Sequence, residues 1–180
     1  MINLIVDPNP KKDWYSLNCA LAKRLAQHLG GETKNLCLYE NPSGYFNYEY
    51  NQEWIDSVAG AHRLIFPVPM WNFGIPAALK DFLDKVSKRG GLWDWDEHKN
   101  YVGLLQGRSA FIIMTSGEYY PPESPQDFVV PYLRAVLSFW GIREIKDFRL
   151  GGVKDKNLAD DRLILDQTTD QMLKAFGFKA

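Results

Sequence analysis

The sequence predicts an α/β protein built on a parallel sheet. Apolar runs recur along the chain and are separated by segments that have the periodicity of amphipathic helices. The runs are residues 2–6, 34–38, 63–68 and 109–114, and a more polar run follows at 143–150. Strands that alternate with helices in this way pair in parallel, because each helix returns the chain to the same end of the sheet. One domain over residues 1–180 is expected for a chain of this length.

The first helix is predicted soon after the first strand. Leucines recur four apart from position 17 to position 29, which places an apolar stripe on one side of a helix. Gly30 and Gly31 follow at once, and glycine commonly ends a helix because it adopts the left-handed conformation at little steric cost. The pattern therefore predicts a tight first β-α unit.

The segment 67–76 connects the third strand to the next helix. Pro67 should end the strand, since proline cannot donate to a β-ladder. Pro76 suits the first turn of a helix, whose apolar face carries Leu79, Phe82, Leu83 and Val86. The chain between the two prolines is therefore predicted to be an exposed loop.

This loop contains Trp71, Asn72 and Phe73. Two large apolar side chains thus lie where the chain should be at the surface, and Asn72 between them offers hydrogen-bond donors and acceptors. Binding residues are often carried on loops of a rigid scaffold. The combination favours the binding of a flat ring with polar edges.

Two more helices and an edge strand complete the pattern. A helix is predicted over roughly residues 126–140, with Gly141 just past its end. The strand 143–150 mixes charged residues with Ile145 and Phe148, as expected at an edge where one side is wet. Residues 158–176 are predicted to form the last helix.

Two irregular segments are rich in aromatic residues. Residues 39–50 are interpreted as a compact surface loop or as the cover of a subunit partner, and they hold Tyr45, Phe46, Tyr48 and Tyr50. Residues 90–107 are interpreted as the wall of a pocket. Trp93 and Trp95 flank Asp94 there, so one ring is expected to face inward while the other packs on the scaffold.

Composition excludes several classes of function. Lys and Arg number 21 against 22 Asp and Glu, and the net charge of -1 leaves no field that would attract nucleic acid or an anionic membrane surface. No apolar run is long enough for a membrane span or a signal peptide, so a cytoplasmic protein without membrane insertion is expected. The three histidines are far apart and support no metal site. Cys19 and Cys37 lack C-x-x-C spacing and are predicted to be buried thiols.

Ligands of open parallel sheets bind outside the carboxyl ends of the strands. Three predicted loops meet there, at residues 7–16, 67–75 and 115–125. Ser16, Leu17 and Asn18 begin a helix, where free amides favour a phosphate, although Ser16 taken alone is better interpreted as a plain helix cap. The third loop begins Thr115-Ser116-Gly117 and allows close approach of a ligand to the backbone, or is an ordinary turn. The common glycine-rich nucleotide motifs are absent from the sequence.

The motifs together resemble a known family. Pro69 to Phe73 with Ile75-Pro76 and Leu79-Lys80 closely resembles the flavin-binding loop of flavodoxin-like NAD(P)H:quinone oxidoreductases and FMN-dependent NADH-azoreductases. The resemblance extends to Ser16-Leu17-Asn18, to Thr115-Ser116-Gly117, and to the segments 130–133 and 139–142. It covers essentially the whole chain.

The resemblance implies a flavodoxin-like three-layer sandwich with five parallel strands in the order 2-1-3-4-5. It also implies a homodimer with sites at the interface, and FMN rather than FAD, because compact loops leave little to hold an adenosine. NAD(P)H would reduce the flavin, and a quinone, azo or nitro compound would then take the electrons at the same place in a ping-pong cycle. The implied flavin-binding residues are Ser16, Leu17, Asn18, Pro69, Met70, Trp71, Asn72, Phe73, Thr115, Ser116 and Gly117.

The chain departs from the family pattern in the third loop. Related enzymes commonly carry two glycines there, whereas this chain has Gly117-Glu118-Tyr119-Tyr120. Glu118 is expected to point to solvent, because its charge would disfavour an anionic flavin. Tyr119 and Tyr120 are candidates for donating a proton to a reduced quinone, with a lid role as the alternative. Trp93 and Tyr119 are candidates for lining the substrate pocket. The resemblance implies that Trp93 reaches toward the active site of the other subunit.

Two other functions compete with the enzyme. One is a flavodoxin-like FMN electron carrier, against which the small net charge argues, because such carriers are usually strongly acidic. The other is a binding protein that keeps the fold without flavin and uses its aromatic loops to contact a partner.

Overall fold

A five-stranded parallel sheet forms the centre of the protein. The computed structural model describes residues 1–10, 17–40, 49–153 and 162–179. In chain order the strands are β1 (Ile2–Asp7), β2 (Glu32–Cys37), β3 (Arg63–Pro69), β4 (Trp93–Trp95), β5 (Tyr101–Gly103), β6 (Ser109–Thr115) and β7 (Glu144–Leu150). The large sheet has the order β2-β1-β3-β6-β7, and β4 pairs with β5 in a separate antiparallel hairpin. Counted along the large sheet alone, this order is 2-1-3-4-5, so the predicted topology is confirmed.

Helices cover both faces of this sheet. They are α1 (Leu17–Leu29), α2 (Gln52–Gly60), α3 (Ala77–Val86), α4 (Val130–Phe139) and α5 (Arg162–Ala175). One core lies between the sheet and α2, α3 and α4, and a second lies between the sheet and α1 and α5. β3 shows why two cores form: Leu64 and Phe66 pack into the first core and Ile65 into the second, because side chains alternate along a strand.

The prediction that β3 stops at Pro67 is wrong, since the strand continues to Pro69 and pairs with β6 along its whole length. The Met70 amide donates to the Thr115 carbonyl on the β6 side at 2.8 Å. Since alternate residues direct their backbone groups to opposite sides, the nitrogens of Pro67 and Pro69 face the β1 side. The β1 register ends at Ile65 although β1 itself continues to Asp7, as expected where Pro67 has no amide to donate.

Other predicted boundaries changed less. α4 begins at Val130 rather than near residue 126. The preceding residues form a turn, and the Asp127 side chain accepts from the Val130 amide at the start of the helix. The predicted start of the last helix falls on residues 154–161, which lie outside the described residues, as do Tyr45, Phe46 and Tyr48. Asn51 caps the helix α2 by accepting from the Trp54 amide at 3.0 Å.

The prediction that both cysteines are buried is wrong. Cys19 and Cys37 are each partly exposed. Cys37 is the last residue of the edge strand β2, and Cys19 lies in the first turn of α1 beside Asp7. The Cys19 thiol donates to the Asp7 carboxylate at 3.2 Å.

The hairpin of β4 and β5 lies away from the carboxyl end of the sheet. The Leu105 amide donates to the Trp140 carbonyl at the end of α4, and α4 ends where the chain turns into β7. Gly103 and Gly141 are in close contact there, since a Cβ at Gly103 would come within 2.1 Å of the Gly141 nitrogen. The hairpin therefore packs at the amino end of the sheet, where glycines allow two backbones to touch.

Two arginines complete helix ends at the same amino end of the sheet. Arg63, the first residue of β3, donates to the carbonyls of Leu29 and Gly30 after α1. Arg108, just before β6, donates to the Ala59 and Ala61 carbonyls at the end of α2. Helix C-termini leave carbonyls unpaired, so each arginine stabilises the end of one crossover helix.

Within the described ranges, no helix combines the length and the apolarity needed to cross a bilayer. Over the same residues, no group of three or more His, Cys, Asp or Glu side chains is arranged to hold a metal ion.

The hairpin turn depends on an ionised carboxylate. Asp96 accepts from the amides of His98 and Asn100 and from the Asn100 side chain. The bonds from Asn100, from its amide first, lower the pKa of Asp96 below the ordinary value of 3.8. Because the folded pKa is the lower one, this stabilisation is complete above the ordinary value and is lost as the pH falls through the folded pKa.

We therefore expect the near-ultraviolet circular dichroism of the Trp95–Tyr101 ring pair, whose centroids are 4.1 Å apart, to be constant from pH 7 down to about pH 4 and to weaken below it. Asp96→Asn keeps an acceptor oxygen but does not titrate, so its signal should lack that step. An identical acid transition in both proteins would show that another group is responsible.

Candidate functional site

The candidate site lies at the carboxyl end of the sheet, where β3 and β6 stop together. The two strands pair in register up to Pro69 and Thr115. The Met70 amide then donates to the Thr115 carbonyl at 2.8 Å. The predicted second and third loops therefore leave the sheet side by side, as the sequence required for a shared site.

The second loop forms a closed turn over residues 71–74. The Trp71 amide donates to the Gly74 carbonyl and the Gly74 amide donates to the Trp71 carbonyl, each at 3.0 Å. The two central residues have positive φ, 48° at Asn72 and 70° at Phe73. This is the geometry of a tight hairpin turn with both central residues left-handed. Asn tolerates it, but for Phe it costs on the order of 1–3 kcal/mol, which the surroundings must offset.

The turn presents its side chains to solvent. Trp71 is 42% exposed and Phe73 46% exposed, and the Asn72 side chain between them is also exposed. The side-chain amide of Asn72 has no hydrogen-bond partner among the residues that the structure describes. Two aromatic faces and a polar edge are thus available to a ligand, in the arrangement that the sequence predicted.

The first loop is tied to the third through Asn18. This side chain is fully buried near the start of α1 and donates to the Thr115 hydroxyl at 3.2 Å. Leu17 is buried beside it in the second core. Ser16, the predicted phosphate ligand, lies outside the described residues. The structure therefore brings Leu17 and Asn18 to the site, and Ser16 stays a prediction.

The third loop passes over the end of β7. The Ser116 amide donates to the Leu150 carbonyl at 3.0 Å, and the Ser116 carbonyl accepts from the Val153 amide at 3.1 Å. A Cβ at Gly151 would come within 2.3 Å of the Tyr119 Cα, so only glycine allows this crossing. Ser116 is buried, and Gly117 is half-buried where the loop turns away.

The two candidate tyrosines differ in their surroundings. Tyr119 is 61% exposed. Tyr120 is half-buried, and its ring meets the ring of Phe73 edge to face, with centroids 6.2 Å apart. Glu118 is exposed, as expected from its charge. Tyr120 therefore supports the turn 71–74, while the Tyr119 hydroxyl is carried on an open surface.

The structure does not bring Trp93 to these loops within one chain. The Trp93 indole N–H donates to the Ser87 carbonyl at the C-terminal end of α3. α3 starts beside the second loop and has 10 residues, so this end lies about 15 Å away along the helix. Within one chain, Trp93 therefore lies outside the site formed by these loops.

The prediction that Trp93 and Trp95 face in opposite directions is wrong. Their rings are in edge contact with centroids 5.8 Å apart, and both pack on Tyr101. Residues two apart on a strand lie on the same side of it. The hairpin thus presents one aromatic surface, to which Phe139 also contributes.

Sequence reasoning missed a buried ionic group beside the second loop. Asp127 pairs with Arg149, with Oδ2 at 3.1 Å from Nη2. Arg149 also pairs with Asp147, and Asp147 with Arg134. The signal available in the sequence was an aspartate three residues before the start of an apolar helix, which is typical of a helix cap. The partner Arg149 lies 22 residues further on, and no local pattern links the two.

A family comparison agrees with this architecture. The sequence model of the family described as having the flavodoxin-like fold matches residues 1–175. The chain belongs to this flavodoxin-like family.

Curated relatives match part of the flavodoxin-like chain. An FMN-dependent NADH:quinone oxidoreductase from Beijerinckia indica is 33% identical over 108 residues, which are 59% of this chain and 53% of the relative. One from Trichormus variabilis is 34% identical over 122 residues, or 62% of this chain and 58% of the relative. The matched region thus spans little more than half the length of these relatives.

A solved structure matches nearly the whole length. The crystal structure of an FMN-dependent NADH-azoreductase from Bacillus anthracis in complex with FMN superimposes with a TM-score of 0.77. The comparison covers 98% of this chain and 97% of the other at 21% sequence identity. Similarity at this level of identity shows that the fold is shared.

The Asn18–Thr115 bond allows a direct test of how the loops are joined. Thr115→Val removes the hydroxyl oxygen that accepts from the buried Asn18 and keeps the side-chain volume. We expect the free energy of unfolding to fall by about 1 kcal/mol, the usual contribution of one hydrogen bond, in urea denaturation.

Thr169→Val is the matched control. The Thr169 hydroxyl donates to the Leu165 carbonyl within α5, and such a bond adds little to helix stability. Its change should stay within about 0.5 kcal/mol. Equal losses in the two variants would contradict a specific role of Thr115.

Proposed function

We propose that this protein is a flavin-dependent oxidoreductase that binds FMN and passes electrons from NAD(P)H to quinones or azo compounds. The observation that carries the proposal is the turn 71–74, where an exposed amide lies between two exposed aromatic rings. The turn is held by the backbone of the neighbouring strand at Thr115. The names of the relatives and of the solved structure support the same cofactor and acceptor classes.

The residues present fit a flavin. An isoalloxazine is flat, apolar on its faces and polar along one edge, so it needs aromatic surface beside a few hydrogen-bonding groups. Trp71 and Phe73 supply the surface, and Asn72 with the backbone of Pro69 to Phe73 supplies the polar groups. Thr115, Ser116 and Gly117 lie next to them and would complete the edge. The start of α1 at Leu17 and Asn18 offers helix amides to a phosphate, with Ser16 as a further ligand.

When bound, FMN supplies the redox chemistry, accepting a hydride and releasing electrons. The protein's own residues bind the ring, fix its orientation and keep one face open. Because donor and acceptor would share that face, we propose that they bind in turn in a ping-pong cycle, and that nitro compounds are also reduced. The relatives are named for NADH, which makes NADH the first donor to test.

In this proposal Tyr119 and Trp93 contact the electron acceptor, and Tyr120 covers the site. The proposed role of Tyr119, whose side chain is exposed, is to donate a proton to a reduced quinone. Tyr120 is packed on Phe73, which suits it better to cover the site. Trp93 lines the acceptor pocket of a second copy, since it lies far from the loops of its own chain. The proposal therefore includes a homodimer.

An absorbance experiment tests the function. Purified protein is loaded with FMN, freed of excess and titrated anaerobically with NADH and then NADPH. We expect flavin bands near ~450 nm that bleach with one nucleotide and return when a quinone is added. Retained flavin that neither nucleotide bleaches would favour an electron carrier, and protein that retains no flavin would contradict the proposal.

Trp71→Ala tests the turn as the flavin site. Removing the ring should raise the FMN dissociation constant by about two- to tenfold, because aromatic contacts contribute roughly 0.5–1.5 kcal/mol beyond area burial. Quenching of flavin fluorescence on binding measures the constant. Tyr50→Ala is the control, since Tyr50 is also exposed, at 53%, but lies beside Lys88 after α3. An unchanged constant in Trp71→Ala would remove the turn from the site.

A further inference from the structure

A hydrogen bond from outside the strained turn 71–74 reaches Phe73 itself. The Phe128 amide donates to the Phe73 carbonyl at 3.1 Å. Phe73 has the least favourable φ for its residue type in this turn. A bond to its carbonyl fixes the peptide plane that follows Phe73, so it favours the strained conformer directly. The position of the Phe128 amide then decides how well the turn is held.

Asp127 determines that position. Its side chain is 1% exposed. One carboxylate oxygen accepts from the amides of Val129 and Val130 at 2.9 and 3.0 Å. The other accepts from Nε and Nη2 of Arg149 at 3.3 and 3.1 Å. The residues on both sides of the Phe128 amide are thereby fixed to β7.

The same side chain completes the start of α4. The residue at the cap position, Val129, offers no side-chain hydrogen bond to the helix, so the free amides of the first turn depend on Asp127. Asp127 therefore joins three parts of the fold that the sequence separates: the start of α4, the end of β7 and the turn 71–74.

We propose that Asp127 is a positioning residue for the turn 71–74, acting through the Phe128 amide on the Phe73 carbonyl. Both ends of the turn are then anchored to adjoining strands. Met70 is bonded to Thr115 of β6, and Phe73 is bonded to a segment held by Arg149, whose register partner in β6 is Met114. A purely structural helix cap would stabilise α4 without affecting the turn.

The first test uses the protein without flavin and so does not depend on the proposed function. Amide hydrogen exchange at Trp71 and Gly74 reports opening of the turn, since these amides bond across it. In Asp127→Ala we expect exchange at both amides to be faster by about fivefold or more, because the loss of a helix cap typically changes a folding equilibrium by roughly this factor.

Asn51→Ala is the matched control. Asn51 caps α2 in the same way, through the Trp54 amide, so its loss should lower the melting temperature and leave exchange at Trp71 and Gly74 unchanged. Asp127→Asn retains an oxygen that can accept from Val129 and Val130 but loses the acceptor for Arg149, so its exchange should lie between that of the wild type and that of Asp127→Ala. Turn exchange in Asp127→Ala that matches the Asn51→Ala control would overturn the proposal.

A second measurement rests on the proposed function. If the turn binds FMN, Asp127→Ala should raise the FMN dissociation constant by up to about fivefold, because molecules with an open turn do not bind, while Asn51→Ala should not. Wild-type protein that fails to bind FMN would refute the proposed function and leave the exchange result to decide the role of Asp127. Wild-type binding with an unchanged constant in Asp127→Ala would refute the link to the flavin turn.

A backbone variant covers the case in which Asp127→Ala does not fold. Phe128→Pro removes the donor amide itself, and Phe128→Ala removes only a ring that is 63% exposed. Faster exchange at Gly74 in the proline variant alone supports the proposal. Equal exchange in the two variants would contradict it.

Discussion

The parallel pairing of β3 with β6 is the constraint on which the rest of the structure depends. The two strands stay in register from Arg63 and Ser109 to Pro69 and Thr115, and the residues between are buried. A slip of one residue would move every side chain to the opposite core, so the register is strongly determined. Because the register also sets where both strands end, it places the second and third loops side by side. The position of the candidate site is therefore a consequence of core packing.

The turn at residues 71–74 shows what the loops add to this frame. A phenylalanine with positive φ is unfavourable alone, so the conformation persists only while neighbouring groups determine it. The neighbours are the Thr115 carbonyl, the Tyr120 ring and the Phe128 amide, which come from three positions after β3. The exposed rings of Trp71 and Phe73 gain nothing for the core. Strain and exposed apolar surface in one turn are costs to folding that a bound aromatic ligand would offset.

The alternation of strands with helices and the exposure of the second loop were predictable from the sequence, because both rest on local patterns. The order of the strands came from the resemblance to a known family. It did not predict that β3 passes through Pro67, since that depends on where the pairing with β1 ends. The common face of Trp93 and Trp95 follows from strand periodicity, once the segment is known to be a strand. Asp127 was recognisable at most as a helix cap, because its partner Arg149 is distant in sequence. The positive φ of Phe73 was unpredictable, since bulky residues rarely adopt it.

The two ends of the sheet differ in how much their side chains contribute to the stability of the fold. At the amino end, Arg63 and Arg108 bond the last carbonyls of α1 and α2, and the glycines at 103 and 141 allow close packing. At the carboxyl end, the described loops keep exposed rings and an exposed amide. Stability is therefore gained where the helices close onto the sheet, and the opposite end is left to carry groups that do not stabilise the fold. A substitution at the carboxyl end need not weaken folding, unless it touches Asn18, Thr115 or Asp127, whose buried hydrogen bonds join the loops to the rest of the fold.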